Sequence, residues 1–224
     1  MSAIKQKSPM FERISARRAS EYSDHIVRYL WVVEGVKGKR VLDCGCGEGY
    51  GMSLLKAQNV DVVGLDVSRD AAKAAKSNDF TRECDFVLGD IFFMPFTKEI
   101  FDVVISFEVI EHLDNGEAYI ANVCEILKPN GVFIGSTPIK KPRRYRNGRP
   151  KNPFHKREYY PEEIRILLKK HFRQVKLFGQ KFPSKLGRIV LSLMFKLRVL
   201  RNHYWFYSIH KDVTHKDEKS SEGK

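Results

Sequence analysis

The densest chemistry in this 224-residue chain lies in Val41-Leu42-Asp43-Cys44-Gly45-Cys46-Gly47-Glu48-Gly49. Apolar residues run into a Gly-x-Gly-x-Gly turn, and the residues after it predict a helix through Met52 to Ala57. Glycines let backbone approach a ligand closely and permit positive φ. The N–H groups of such a turn, with a helix start behind them, favour an anion. Two details argue against a dinucleotide pyrophosphate. The spacing is not Gly-x-Gly-x-x-Gly, and Asp43 is expected in the turn itself, where it would repel a phosphate. It could instead accept hydrogen bonds, directly or through water, from the ammonium of an amino acid. Asp66 lies nineteen residues past Gly47 and ends a second apolar segment. A carboxylate there is placed to accept from both hydroxyls of a ribose. In Leu88-Gly89-Asp90-Ile91, Asp90 can accept from an adenine amino group, and the Ile91 N–H can serve a ring nitrogen.

A second constellation is Glu108-Val109-Ile110-Glu111-His112. On a helix, positions i, i+3 and i+4 share a face. Two carboxylates and an imidazole there could bind a divalent metal, or could pack and cap the helix that follows. The expectation is that no metal binds. His112 is a candidate general base, because an imidazole titrates near neutrality.

These residues need a scaffold. Tyr22, Ile26, Tyr29, Leu30 and Val33 have helical spacing, with Ser20 a plausible N-cap. After Val41-Leu42 the chain alternates short apolar strands with helices: a strand at 61–65, a helix capped by Ser68 to about Ser77, and a strand at 85–88. The continuous apolar run 101–107 has the character of a central strand covered on both faces. A helix from about Gly116 to Leu127 stops at Lys128-Pro129-Asn130-Gly131, and a fifth strand spans 132–135. This alternation predicts a Rossmann-like, doubly wound α/β fold. Its sheet should be mostly parallel and seven-stranded, with an antiparallel edge strand. Pro161 should open a further helix, followed by strands at 174–178 and 204–209.

The chain carries a net charge of +13, which suggests an anionic partner. From Pro138 to Arg157 there are nine Lys/Arg, four Pro and no acid, so 138–160 is expected to be a basic, lid-like loop. Residues 185–200 read as a basic amphipathic helix. That pattern suits a helix lying on an anionic membrane and equally a core-packed helix with a solvated basic face. Residues 1–212 are expected to form one domain and 213–224 a disordered polar tail. Four scattered cysteines do not make a disulfide scaffold or a zinc knuckle. No apolar signal-peptide core or membrane span is evident, so the expected location is cytoplasmic, with peripheral contact at the inner membrane face.

An amino-acid end, a ribose and an adenine, in that order, describe S-adenosylmethionine (SAM). With LDCGCGEGYG, VVGLDVS, FVLGDIFFMPF, FDVVISFEVIEHL and LKPNGVFIGSTP in order, the chain resembles class I SAM-dependent methyltransferases, the small-molecule group called type 11. The resemblance covers roughly Val41 to Pro138. It implies that Asp43, Gly45, Cys46 and Gly47 hold the methionine moiety and that Asp66 binds the ribose with Val67 beside the adenine. It also implies that Asp90 and Ile91 read the adenine and that Phe107 lines the methionine end. E-x-x-E-H also occurs in metal-using ubiquinone-pathway and small-RNA methyltransferases, the latter with a further His that cannot be placed here. Asn152-Pro153-Phe154-His155 with Glu158-Tyr159 resembles a segment of glycan-associated type 11 enzymes. There it lies over the active site, which would turn His155 towards the acceptor. An Asn-Pro-Pro-aromatic motif after the fourth strand is absent, which favours an oxygen over a nitrogen acceptor. The expected acceptor is a small molecule, sugar or lipid-linked glycan. An RNA methyltransferase and a non-catalytic SAM-binding regulator are the other readings.

Overall fold

The computed structural model describes residues 23–79, 81–142, 145–178 and 208–210. The Ser20 cap, the 185–200 helix, the polar tail and the start of the last expected strand lie outside these residues.

Helix α1 (Ser23–Val36) leads into β1 (Arg40–Cys44), α2 (Tyr50–Lys56), β2 (Asp61–Asp66), α3 (Arg69–Ser77), β3 (Asp85–Leu88) and β4 (Phe101–Phe107). A 3₁₀ turn (Ile110–His112), α4 (Gly116–Ile126) and β5 (Leu127–Ser136) follow. Then come a two-stranded ribbon (β6, Tyr145–Arg146; β7, Arg149–Pro150), α5 (Pro161–Lys169), β8 (Gln174–Lys176) and β9 (Ser208–His210). The main sheet has seven strands in the order β3-β2-β1-β4-β5-β9-β8. β1 to β5 pair in parallel, and β9 runs antiparallel to both β5 and β8. The antiparallel member therefore sits one place in from the edge. Strand order reverses between β1 and β4, so the carboxyl ends of these two strands flank the crevice where open α/β sheets bind ligands.

Burial explains the elements. β4 is covered on both faces by two apolar clusters, one centred on Phe101, Tyr119 and Phe133, the other on Tyr29, Met52 and Ile105. The Tyr119 hydroxyl, buried in the first cluster, donates to Ser106 Oγ at 2.7 Å. Ser68 Oγ accepts the Ala71 N–H at 3.1 Å, a cap that contributes about 1 kcal/mol. Pro161 starts α5, and the Tyr160 N–H donates to Glu163 Oε2 at 2.8 Å.

β8 stops at Lys176, short of the expected 178, and two larger differences appear. β5 begins at Leu127, because Leu127 already pairs with Phe101 before a bulge restores register at Val103 and Val132. The Lys128–Gly131 turn, with Asn130 at φ 61°, is contained in that irregularity. The 138–160 stretch is not a bare loop. Asn147 and Gly148, at φ 49° and 74°, make the tight turn of the β6–β7 ribbon. Ile139 also bridges to Tyr159, so the stretch is a strap tied down at both ends.

Candidate functional site

The glycine turn is built by the strand beside it. The Gly45 and Cys46 N–H groups both donate to the Leu65 carbonyl, at 2.8 and 3.2 Å. Gly45 and Gly47 take φ 77° and 55°. A Cβ on Gly45 would lie 2.5 Å from Val109 Cγ2, whereas the space beside Gly47 is open. Cys46 is buried beneath the turn. Asp66 works from the end of β2. Its Oδ2 accepts the Gly47 N–H at 2.9 Å and its Oδ1 the Ser68 N–H at 2.8 Å. A carboxylate has about four acceptor sites, so Asp66 can pin this turn and still receive a ribose.

Asp43 departs from the sequence expectation. It is a residue of β1, not of the turn, and is only 1% exposed. The Tyr29 hydroxyl lies 3.0 and 3.1 Å from its two oxygens. Burial pushes the Asp43 carboxyl up to about 7, against the opposing pull of the Tyr29 hydrogen bond. Tyr29 itself packs edge-on against Phe107 and Tyr50, with ring centroids 5.0 and 5.5 Å away. The sequence places Tyr29 only on an apolar helix face, because helical periodicity does not report what a hydroxyl meets.

At the ends of β2 and β3, Val67 and Leu88 are 55% and 45% exposed. They leave an apolar surface beside Asp66. Asp90 Oδ1 accepts the Phe92 N–H at 2.8 Å, so one of its oxygens forms a local turn. The Asn122 amide donates to the Ile91 and Phe92 carbonyls at 3.2 and 2.9 Å, which fixes the segment that holds half-buried Ile91.

The face expected from Glu108, Glu111 and His112 does not form. Glu108 sits at φ 57°, and only a short 3₁₀ turn follows. Its Oε1 accepts from Ser136 Oγ at 2.7 Å and pairs with Arg28 at 3.3 Å. Glu111 is 0% exposed. Its Oε2 accepts from Thr137 Oγ1 at 3.0 Å, while Oε1 meets no partner among the described residues. Burial and the nearby Glu108 hold the Glu111 carboxyl well above the usual range.

The strap brings a second imidazole in place of Glu108. His112 Nδ1 lies 2.8 Å from the Phe154 carbonyl. His155, 9% exposed, has Nδ1 at 2.9 Å from Glu158 Oε1 and Nε2 at 3.0 Å from the Asn152 amide nitrogen. The two rings meet edge to face at 5.0 Å. Backbone fastens the pair, because the Lys156 and Arg157 N–H groups both donate to the Glu111 carbonyl, at 2.7 and 3.1 Å. The sequence marked His112 and His155 separately. Asn152 and Glu158 stood in the segment marked with His155, but without a role; nothing announced Thr137 or Arg28, which take theirs from contacts across the fold.

Part of the strap's charge is internal. Lys140 stands over the Tyr145 and Tyr160 rings at 5.0 and 5.1 Å, and Arg157 covers Tyr159 and pairs with Glu163 at 3.2 Å. Among the described residues, no helix is long and apolar enough to cross a membrane.

The profile of a family described as a methyltransferase domain matches residues 36–172. A probable SAM-dependent methyltransferase of Mycolicibacterium smegmatis is 35% identical over 144 residues, 64% of this chain and 55% of that protein. A protein of Mycobacterium ulcerans named phthiotriol/phenolphthiotriol dimycocerosates methyltransferase 1 is 34% identical over 115 residues, 50% of this chain and 42% of its own. This chain spans about half the length of the curated relatives it matches. The crystal structure of a SAM-dependent methyltransferase from Archaeoglobus fulgidus superposes with a TM-score of 0.59 at 21% identity. The match covers 88% of this chain and 93% of that one, and it shows the shared fold.

Proposed function

The chain belongs to the class I SAM-dependent methyltransferases, and we propose that it transfers a methyl group to an oxygen of a small-molecule, sugar or lipid-linked acceptor. Bound SAM supplies an electrophilic methyl group on a sulfonium. The described residues fit that cofactor. Asp43 is a buried carboxylate pushed up to about 7, so a neighbouring ammonium would relieve its cost. The open space beside Gly47 admits the amino-acid end. Asp66 retains acceptor sites for a ribose, and exposed Val67 and Leu88 offer an apolar face for an adenine that Asp90 and Ile91 would read. Phe107, edge-on to Tyr29, would line the methionine end.

The observation that carries the acceptor reading is the convergence of His112 and His155 just past the end of β4. Methyl transfer to a hydroxyl forms a C–O bond as the S–C bond breaks, and the hydroxyl proton must leave. A pair of imidazoles, one oriented by buried Glu158, is suited to managing that proton. The M. ulcerans relative is named for phthiotriol and phenolphthiotriol dimycocerosates, names that carry a triol and a phenol and so support a hydroxyl acceptor. Labelled methyl should pass from SAM into a hydroxyl-bearing lipid or glycan fraction. His155→Ala should lower kcat roughly 10²- to 10⁴-fold with SAM affinity little changed. Label that appears only in nuclease-sensitive polymer would overturn the small-acceptor reading in favour of RNA. Tight SAM binding without turnover on any fraction would overturn the enzymatic one.

A further inference from the structure

We propose that Glu111, His112 and His155 form a binding site for a divalent transition-metal ion, at which the acceptor hydroxyl is engaged. This rests on the acceptor reading above. One donor atom from each of the three residues lies within 4.8 Å of the other two. Two imidazoles and a carboxylate form a three-ligand set that leaves a position open for a substrate oxygen.

Each ligand is held as a metal would require. Ligating histidines donate their second ring N–H to a carbonyl or carboxylate, which fixes the tautomer and aims the other nitrogen. His112 Nδ1 has the Phe154 carbonyl at 2.8 Å, and His155 Nδ1 has the Glu158 carboxylate at 2.9 Å. With the protons on Nδ1, both Nε2 atoms carry the lone pair. Glu111 supplies the independent sign. Its side chain is 0% exposed, Oε2 is tied to Thr137, and Oε1 is unpartnered among the described residues. A buried carboxylate oxygen without a donor is costly, and a cation would satisfy it.

An ion about 2.0–2.2 Å from each donor sets tetrahedral ligand atoms about 3.4 Å apart, so a cluster spanning up to 4.8 Å must contract by up to about 1.4 Å. The contact that gives way is the one between Asn152 and His155 Nε2 at 3.0 Å, in which the amide stands where the ion would. With the ion bound, the imidazoles act as ligands, in place of the proton-handling role they would have without it. The cation acidifies the acceptor hydroxyl, and its proton departs to solvent as the new C–O bond forms.

Full-length protein is stripped with chelator and titrated with cobalt(II), followed by visible absorption, and with zinc(II), followed by calorimetry. SAM binding is measured on the same samples. One equivalent of cobalt with ligand-field bands, weakened at least 100-fold in both His155→Gln and His112→Gln, is the expected result. SAM affinity should stay within about twofold, which also certifies that the variants are folded. No binding at millimolar metal by wild-type protein that binds SAM would overturn the site, as would equal metal binding in both variants. Either failure leaves the methyltransferase reading standing, because SAM binding and label transfer in chelator report on it separately.

Discussion

Cofactor affinity should depend on the protonation of Asp43. The perturbation is pH, varied from 7.5 to 5.5, a range in which an amino-acid ammonium stays largely charged. Burial places the free protein's Asp43 at about 7. Its ionised fraction therefore falls from about three quarters at pH 7.5 to about 3% at pH 5.5. An ammonium beside it should pull the carboxyl down by roughly two units in the complex. The dissociation constant for SAM should then rise roughly 20-fold across this range, about 1.8 kcal/mol. Near pH 6.5 binding should release about 0.7 proton. Calorimetry in two buffers of different ionisation enthalpy measures both quantities. Asp43→Asn should bind weakly and show no such pH dependence. A flat dissociation constant in the wild type, or net proton uptake on binding, would refute the assignment of Asp43 to the ammonium.

The same residue has a cost for the free protein. A carboxyl raised from 3.8 to about 7 contributes stability that is full below about pH 4 and lost as pH rises through 7. Asp43→Asn should therefore stabilise the ligand-free chain at pH 8, by at most about 4 kcal/mol, and give little gain at pH 4; urea unfolding at both pH values is the check. Asp66→Ala releases the Gly47 and Ser68 N–H groups, charge-assisted bonds of about 1.5–3 kcal/mol each before water compensates. SAM affinity should drop by at least tenfold in calorimetry, and an unchanged value removes Asp66 from the site. Gly51→Ala drives a methyl into the Tyr29 ring, which cannot yield without disturbing Asp43. Chemical denaturation should show a loss of about 1–3 kcal/mol, accompanied by weaker SAM binding.

What the sequence disclosed was whatever local pattern determines. The glycine turn, the Ser68 cap, the Pro161 helix start and the apolar run of β4 each follow from a few consecutive residues. Asp66 at the end of β2 and Asp90 just past β3 were legible because strand ends in this fold converge on one edge. Contacts made across long stretches of chain were not. Asp43 was assigned to the turn because its partner, Tyr29, lies 14 residues away on another element. Glu108 looked like a partner of Glu111 by spacing, yet the positive φ at Glu108 and the Arg28 ion pair draw it elsewhere. His155 reaches His112 through a proline-rich strap with no period to read. Only the packed fold reveals that one backbone oxygen of Glu111 moors it.

That mooring divides the strap into parts with different tolerance for change. Its base, from Asn152 to Tyr159, shares hydrogen bonds with Glu111 and His112, so an insertion or deletion there would dismantle the imidazole pair. Its tip, the Asn147-Gly148 turn of the β6–β7 ribbon, can lengthen, shorten or exchange charge with those moorings intact, provided Tyr145 stays in place, since its hydroxyl accepts the Glu158 N–H at 3.1 Å. Sequence drift at the turn is thereby insulated from the imidazole pair, and drift at the base is not.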